Sequence, residues 1–190
     1  MGSGHVLVYA FDVLMQLYTA EGWSERDAAR SILENNLYGL DIDTRAGQLA
    51  YFAVMMKARK HFRRLFTAGI RPNIFAIRDS AFLDDELISF AAGDDATLRD
   101  SLKKLRECFR DAKEFGSLIR PEIPGLDKLL ERLTEIASDH PTDLIAAHFR
   151  NRVADDLLPL ALQAQMLSQK YDVVCTNPPY MGSSGMSEKL

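Results

Sequence analysis

Apolar residues near the start of the chain recur every three or four positions: Leu7, Phe11, Leu14 and Tyr18. That spacing gathers them on one face and predicts a helix over residues 6–20, ended by Gly22. Ser24 with Asp27 forms a capping-box pattern that opens a second helix, running to about Asn35. The pattern then changes, and Leu37–Ile42 reads as a short strand. Asp43 or Thr44 caps a long helix over residues 45–66, closed by Gly69. Asn73–Arg78, preceded by Pro72, reads as a second strand. Strand, helix, strand in that order describes a parallel unit, because parallel strands need a crossover.

Residues 80–170 are too many for a plain connection, whose usual length is about 2–6 residues. They carry a helical pattern instead. Thr97 and Asp100 give another capping box, Leu98, Leu102, Leu105, Phe109 and Ala112 share a face, and Gly116 stops the helix. Pro121–Gly125 is a turn. Leu126, Leu129, Leu130, Leu133 and Ile136 mark a further helix, ended near Asp139–Pro141. Ile145, Phe149, Val153 and Leu157 begin a last amphipathic helix reaching about Gln169, in which Pro159 predicts a kink or break. Tyr171–Thr176 then reads as a third strand, and the Gly- and Ser-rich residues 181–190 as a mobile tail.

Composition narrows the class. At 190 residues, 47% hydrophobic and 26% charged, the chain suits one globular domain and is no disordered segment. No apolar run is long enough to cross a bilayer, and no signal segment opens the sequence. Cys108 and Cys175 lack metal-type spacing and read as reduced thiols, so the expected compartment is the cytoplasm. A net charge of −4 argues against a dedicated DNA-binding module. Lys57, Arg59, Lys60, His61, Arg63 and Arg64 form a basic cluster late in the third helix. It reads as a solvated complement to the helix dipole, with phosphate binding as the alternative. His140 and His148 have no partners at metal-ligand spacing.

The chemistry concentrates at Asn177-Pro178-Pro179-Tyr180. Two prolines cannot extend a central strand, and a residue before proline is pushed into extended geometry. Asn177 is thus expected at a strand exit, where its Oδ1 and the Pro178 carbonyl can both accept hydrogen bonds from one exocyclic amine. Tyr180 can stack on the ring that carries that amine. The plainer alternative is a strand followed by a proline-stiffened turn.

With its strand, this motif resembles the catalytic motif of S-adenosylmethionine-dependent amino-group methyltransferases, above all the N6-adenine DNA enzymes. Gly2-Ser3-Gly4-His5 resembles the family's glycine-rich cofactor loop, and Asn36–Asp43 the segment where an acid holds the cofactor ribose. The wording around them, Val8–Leu14 after the first and Gln48-Leu49-Ala50 after the second, is similar to the adenine-specific methyltransferases of BREX-type phage-resistance systems.

The resemblance implies an α/β, partial Rossmann-like methyltransferase fold, helix-rich and with few parallel strands. It would span residues 1–180, with a helical insertion at about 80–170. It implies S-adenosylmethionine as cofactor, held by Gly2, Gly4, Asp41 and Asp79, and a catalytic set of Asn177, Pro178, Pro179 and Tyr180. Asp79 also reads as a turn or capping residue, and Asp43 as a helix cap. DNA is the implied partner through the full-length parent, alongside other defence-system proteins; no membrane and no metal are implied. RNA bases or protein glutamine are alternative substrates of the same motif, and a non-enzymatic helical scaffold is the alternative class. The family's first strand and its acidic run are expected upstream of Gly2, so the chain reads as an inactive internal fragment. Self-association is expected, either through strand edges left open in this way or through the Leu98–Leu167 helices.

Overall fold

The computed structural model describes residues 1–176 and divides into two compact units, the first Met1–Ile77, with Val174–Thr176 grouped to it, and the second Arg78–Val173. In the first unit, α1 (His5–Ala20) and α2 (Glu25–Ser31) are followed by a π-helical turn, Ile32–Asn36. Ser24 caps α2 as its spacing predicts, its hydroxyl accepting from the Asp27 amide. β1 (Tyr38–Asp41), α3 (Thr44–Arg59) and β2 (Asn73–Ala76) form the expected strand–helix–strand unit. The two strands pair in parallel, Tyr38 opposite Asn73 and Asp41 opposite Ala76.

α3 lies against the sheet closely enough to need small residues. A Cβ on Gly47 would meet the Ala76 Cβ at 3.2 Å. Phe11, Ile32, Leu33, Val54 and Leu65 are fully enclosed and form the centre of this unit's core.

α3 stops at Arg59, well short of the expected Phe66. The chain turns through Lys60–Arg64 into a 3₁₀ turn, Leu65–Ala68, and Gly69 closes it at φ +70°. The apolar positions Phe62 and Leu65 sustain a helical pattern in the sequence, but both are buried by the turn rather than by a continuing helix.

The second unit is helical: α4 (Asp85–Ala92), α5 (Ala96–Cys108), the single turn α6 (Ala112–Phe115), α7 (Leu126–Ser138), α8 (Leu144–Arg152) and α9 (Leu158–Ser168). Asp95, rather than Thr97, caps α5, its carboxylate accepting from the Thr97 and Leu98 amides. An acid two residues earlier satisfies the same orphan amides, which is why the capping-box reading misplaced the start. α4 went unread as a separate element; Asp84 caps it through the Leu87 amide. The chain stays helical through Pro159: a π-helical turn, Val153–Leu157, leads directly into α9, whose first turn holds Pro159, so the helix is not broken there.

The architecture is therefore helix-rich with a two-stranded parallel sheet among the described residues. The expected third strand is a correction. Tyr171–Thr176 is irregular, with Val173 84% and Val174 76% exposed. A short apolar run needs a paired neighbour to become a strand. The expected tail at 181–190 lies outside the described residues.

Candidate functional site

The glycine turn ahead of α1 and the acid at the end of β1 come together. The Gly2 amide donates to Asp41 Oδ2 at 2.8 Å, and the Met1 ammonium meets the same oxygen at 3.0 Å. The Asp43 amide donates to Asp41 Oδ1 at 2.9 Å. Asp43 itself caps α3 through the Arg45 amide, as its position after the strand predicts.

Gly4 is what permits this approach. It sits at φ +89° and is buried; a Cβ there would lie 2.7 Å from the Ala50 Cα. The first turn of α1 thus rests directly on the α3 backbone. Gly39 in β1 is covered in the same way, its missing Cβ facing the Met1 sulfur at 2.7 Å. The resemblance assigned Gly2, Gly4 and Asp41 to one site; the structure brings Gly2 onto Asp41, while Gly4 packs on Ala50.

The electrostatics follow from the contacts. The Asp41 side chain is only 14% exposed. Burial alone would raise its pKa, but the Asp43 amide, the amino terminus and the Gly2 amide outweigh it and hold the pKa below the ordinary 3.8. A carboxylate has about four acceptor positions. Oδ2 takes two donors and Oδ1 one, so Oδ1 keeps an acceptor position for a hydroxyl.

Asp79 lies in the second unit, where its Oδ1 accepts from the Lys113 amide at 3.0 Å. It bridges two chain segments there, the turn-residue role the sequence allowed. Asn177, Pro178, Pro179 and Tyr180 lie outside the described residues. No cluster of metal-ligating side chains occurs among the described residues.

One feature escaped sequence reasoning. A cleft of about 510 Å³ is lined by Ser3 and His5 on one side and by Met56, Lys57, Arg59 and Lys60 on the other. Ser3 Oγ and His5 Nδ1 are hydrogen-bonded at 2.9 Å. The sequence signal was the acid-free basic run; its placement beside the glycine turn was not legible.

Residues 35–190 match the Eco57I restriction-modification methylase family. The chain belongs to that family. Over its whole length it is 42% identical to the adenine-specific methyltransferase PglX of Lacticaseibacillus casei (strain Zhang). It is 36% identical to the adenine-specific methyltransferase BrxX of Escherichia coli O9:H4 (strain HS). It spans 16% of the length of the first relative and 17% of the second. Among the described residues, no helix is long and apolar enough to cross a membrane.

Proposed function

We propose that this chain is part of an S-adenosylmethionine-dependent methyltransferase acting on the N6 amine of adenine in DNA. Membership of a restriction-modification methylase family and whole-chain likeness to two adenine-specific methyltransferases support this reading. They favour adenine over a glutamine side chain as the acceptor. The observation that carries the site is the contact between the Gly2 amide and Asp41. It joins a glycine turn at a helix N-terminus to an acid at a strand end, an arrangement suited to a charged nucleoside. The β1–α3–β2 unit is, in this reading, the edge of a Rossmann-like sheet.

The residues present suit the cofactor. Asp41 Oδ1 retains room for one ribose hydroxyl, and the exposed Gly2 and Ser3 backbone borders the N-terminus of α1, which favours a carboxylate. Asp79 is assigned to the cofactor's adenine amine by the resemblance alone; its Oδ1 accepts from the Lys113 amide. When bound, S-adenosylmethionine supplies the electrophilic methyl group. The target adenine must leave the base stack to expose its amine. Asn177 Oδ1 and the Pro178 carbonyl would accept the two amino hydrogens and Tyr180 would stack on the base, with Pro179 completing the motif. These contacts orient the nitrogen lone pair and strengthen as that nitrogen becomes tetrahedral.

The relatives are about six times longer, so other segments of the full protein are assigned the rest of the cofactor wall and the DNA target recognition. The 190-residue chain alone is expected to bind the cofactor weakly and to methylate nothing. The test is methyl transfer to duplex DNA by the full-length protein, with N6-methyladenine read by mass spectrometry. Asn177→Ala and Tyr180→Ala should cripple turnover while cofactor binding survives. Near-normal turnover by Asn177→Ala would overturn the assignment.

A further inference from the structure

Five of the eight residues from Lys57 to Arg64 are Lys or Arg, and none is Asp or Glu. Complementing a helix C-terminus explains only part of this run. The effect fades within the last turn. Lys57 and Arg59 occupy that turn, but α3 ends at Arg59, and Arg63 and Arg64 lie beyond it. Ion pairing does not explain the rest. Lys57 meets Asp12 at 2.6 Å, and the Arg59 guanidinium lies 5.5 Å from the centre of the Phe66 ring. Lys60, Arg63 and Arg64 are exposed and have no carboxylate partner among the described residues.

The charge is also local. Met1–Ile77 carries nine Lys and Arg against seven Asp and Glu, although the whole chain is at −4. The negative surplus that argued against nucleic-acid contact resides after Ile77. The basic run borders the cleft beside α1, whose far side offers the Ser3 hydroxyl and the His5 ring. Positive charge on one wall and neutral donors on the other is the donor mix that phosphate oxygens take from proteins. The cations continue from the cleft along the following turn, so they match an extended polyanion better than a compact one.

We infer that this cleft and the Lys60–Arg64 turn hold the phosphate backbone of a nucleic-acid strand, independently of base sequence. The inference rests on the reading of the protein as a DNA-acting enzyme and adds to it a place of grip. Each phosphate neutralised contributes about −0.9 to the slope of log affinity against log salt.

The experiment measures binding of the chain to a short labelled duplex by fluorescence anisotropy, without cofactor, at several salt concentrations. The variant Lys60→Gln, Arg63→Gln, Arg64→Gln should flatten the slope by about 2.7. It should correspondingly remove about 40-fold of the affinity change between about 50 and 200 mM salt. The control Lys103→Gln, Arg120→Gln, Lys170→Gln removes equal charge from exposed positions elsewhere and should leave the slope unchanged. Arg63→Lys with Arg64→Lys should bind as the wild type. Absence of binding by the wild type, an unchanged slope in the first variant, or an equal loss in the control would each overturn the inference. Failure of the methyltransferase reading shows separately, as no methyl transfer by the full-length wild type, and leaves the binding result standing.

Discussion

Gly4→Ala tests whether the glycine turn is held open by packing, and Gly2→Ala is its internal control. Both glycines have positive φ, +89° at Gly4 and +56° at Gly2. An L-residue in left-handed geometry costs about 1–2 kcal/mol. Gly2 has nothing within 4 Å of a built Cβ, so its substitution should cost that amount and no more. At Gly4 the Cβ would stand 2.7 Å from the Ala50 Cα and 2.9 Å from its Cβ. The backbone of α3 cannot swing aside as a flexible side chain would. Overpacking of this kind adds about 1–3 kcal/mol, for a total of about 2–5.

Trp23 is the sole tryptophan and lies in the first unit, in edge contact with Tyr18 at 4.9 Å. Its fluorescence therefore reports unfolding of the unit that contains the site. With a urea dependence of about 2 kcal/mol per molar, Gly4→Ala should lower the midpoint by about 1–2.5 M, and Gly2→Ala by about 0.5–1 M. Equal midpoints for the two variants would refute the close approach of α1 to α3, and with it the geometry that places Gly2 on Asp41.

Asp41→Asn in the full-length protein should weaken S-adenosylmethionine binding by about 10- to 150-fold in calorimetry, the worth of one hydrogen bond to a charged group; unchanged affinity would remove Asp41 from the cofactor set. Because the Asp41 pKa is lowered on folding, its contribution to stability is full above about 3.8 and is lost as pH falls below it. Asp95 is partly exposed, and Lys128 at 2.6 Å and the amides it caps lower its pKa to about 2. Lys128→Gln should bring the Asp95 titration, followed by carboxyl NMR, back toward 3.8, and no change would show the pair to be unformed in solution. Val6, Tyr9, Val13 and Leu17 are 40–73% exposed and share one face of α1. Light scattering should therefore show concentration-dependent self-association that Tyr9→Glu with Leu17→Glu reduces.

The sequence made the first unit legible because its signals were redundant. Ser24 and Asp43 each predicted a helix start, and each caps one, while the change from helical to strand pattern at Leu37 marked β1 to within a residue. Where two signals competed, the sequence misled. Phe62 and Leu65 continue the apolar period of α3, yet burial in a turn satisfies them equally well, so period alone could not locate the end at Arg59. Thr97 read as the cap of α5, but Asp95, two residues earlier, takes that place in the structure.

Tyr171–Thr176 shows a deeper limit. Its β-type residues state a preference that is realised only by pairing, because a strand draws its stability from neighbours and not from its own backbone. Helices in the same chain close their hydrogen bonds internally, so their patterns were legible one segment at a time. The candidate site divides along the same line. Gly2, Gly4 and Asp41 belong to a helix start and a paired strand end, elements that local signals mark, while the grouping of the three came from the resemblance. The segment that leads to Asn177 depends on a strand partner, so its geometry is a property of whichever sheet accepts it. If residues 171–176 are the strand the motif requires, supplying that partner should order them. Hydrogen exchange of Val173 and Val174 in the full-length protein, compared with the 190-residue chain, would register the ordering as new protection. Equal, fast exchange in both would mean that the motif operates from a loop.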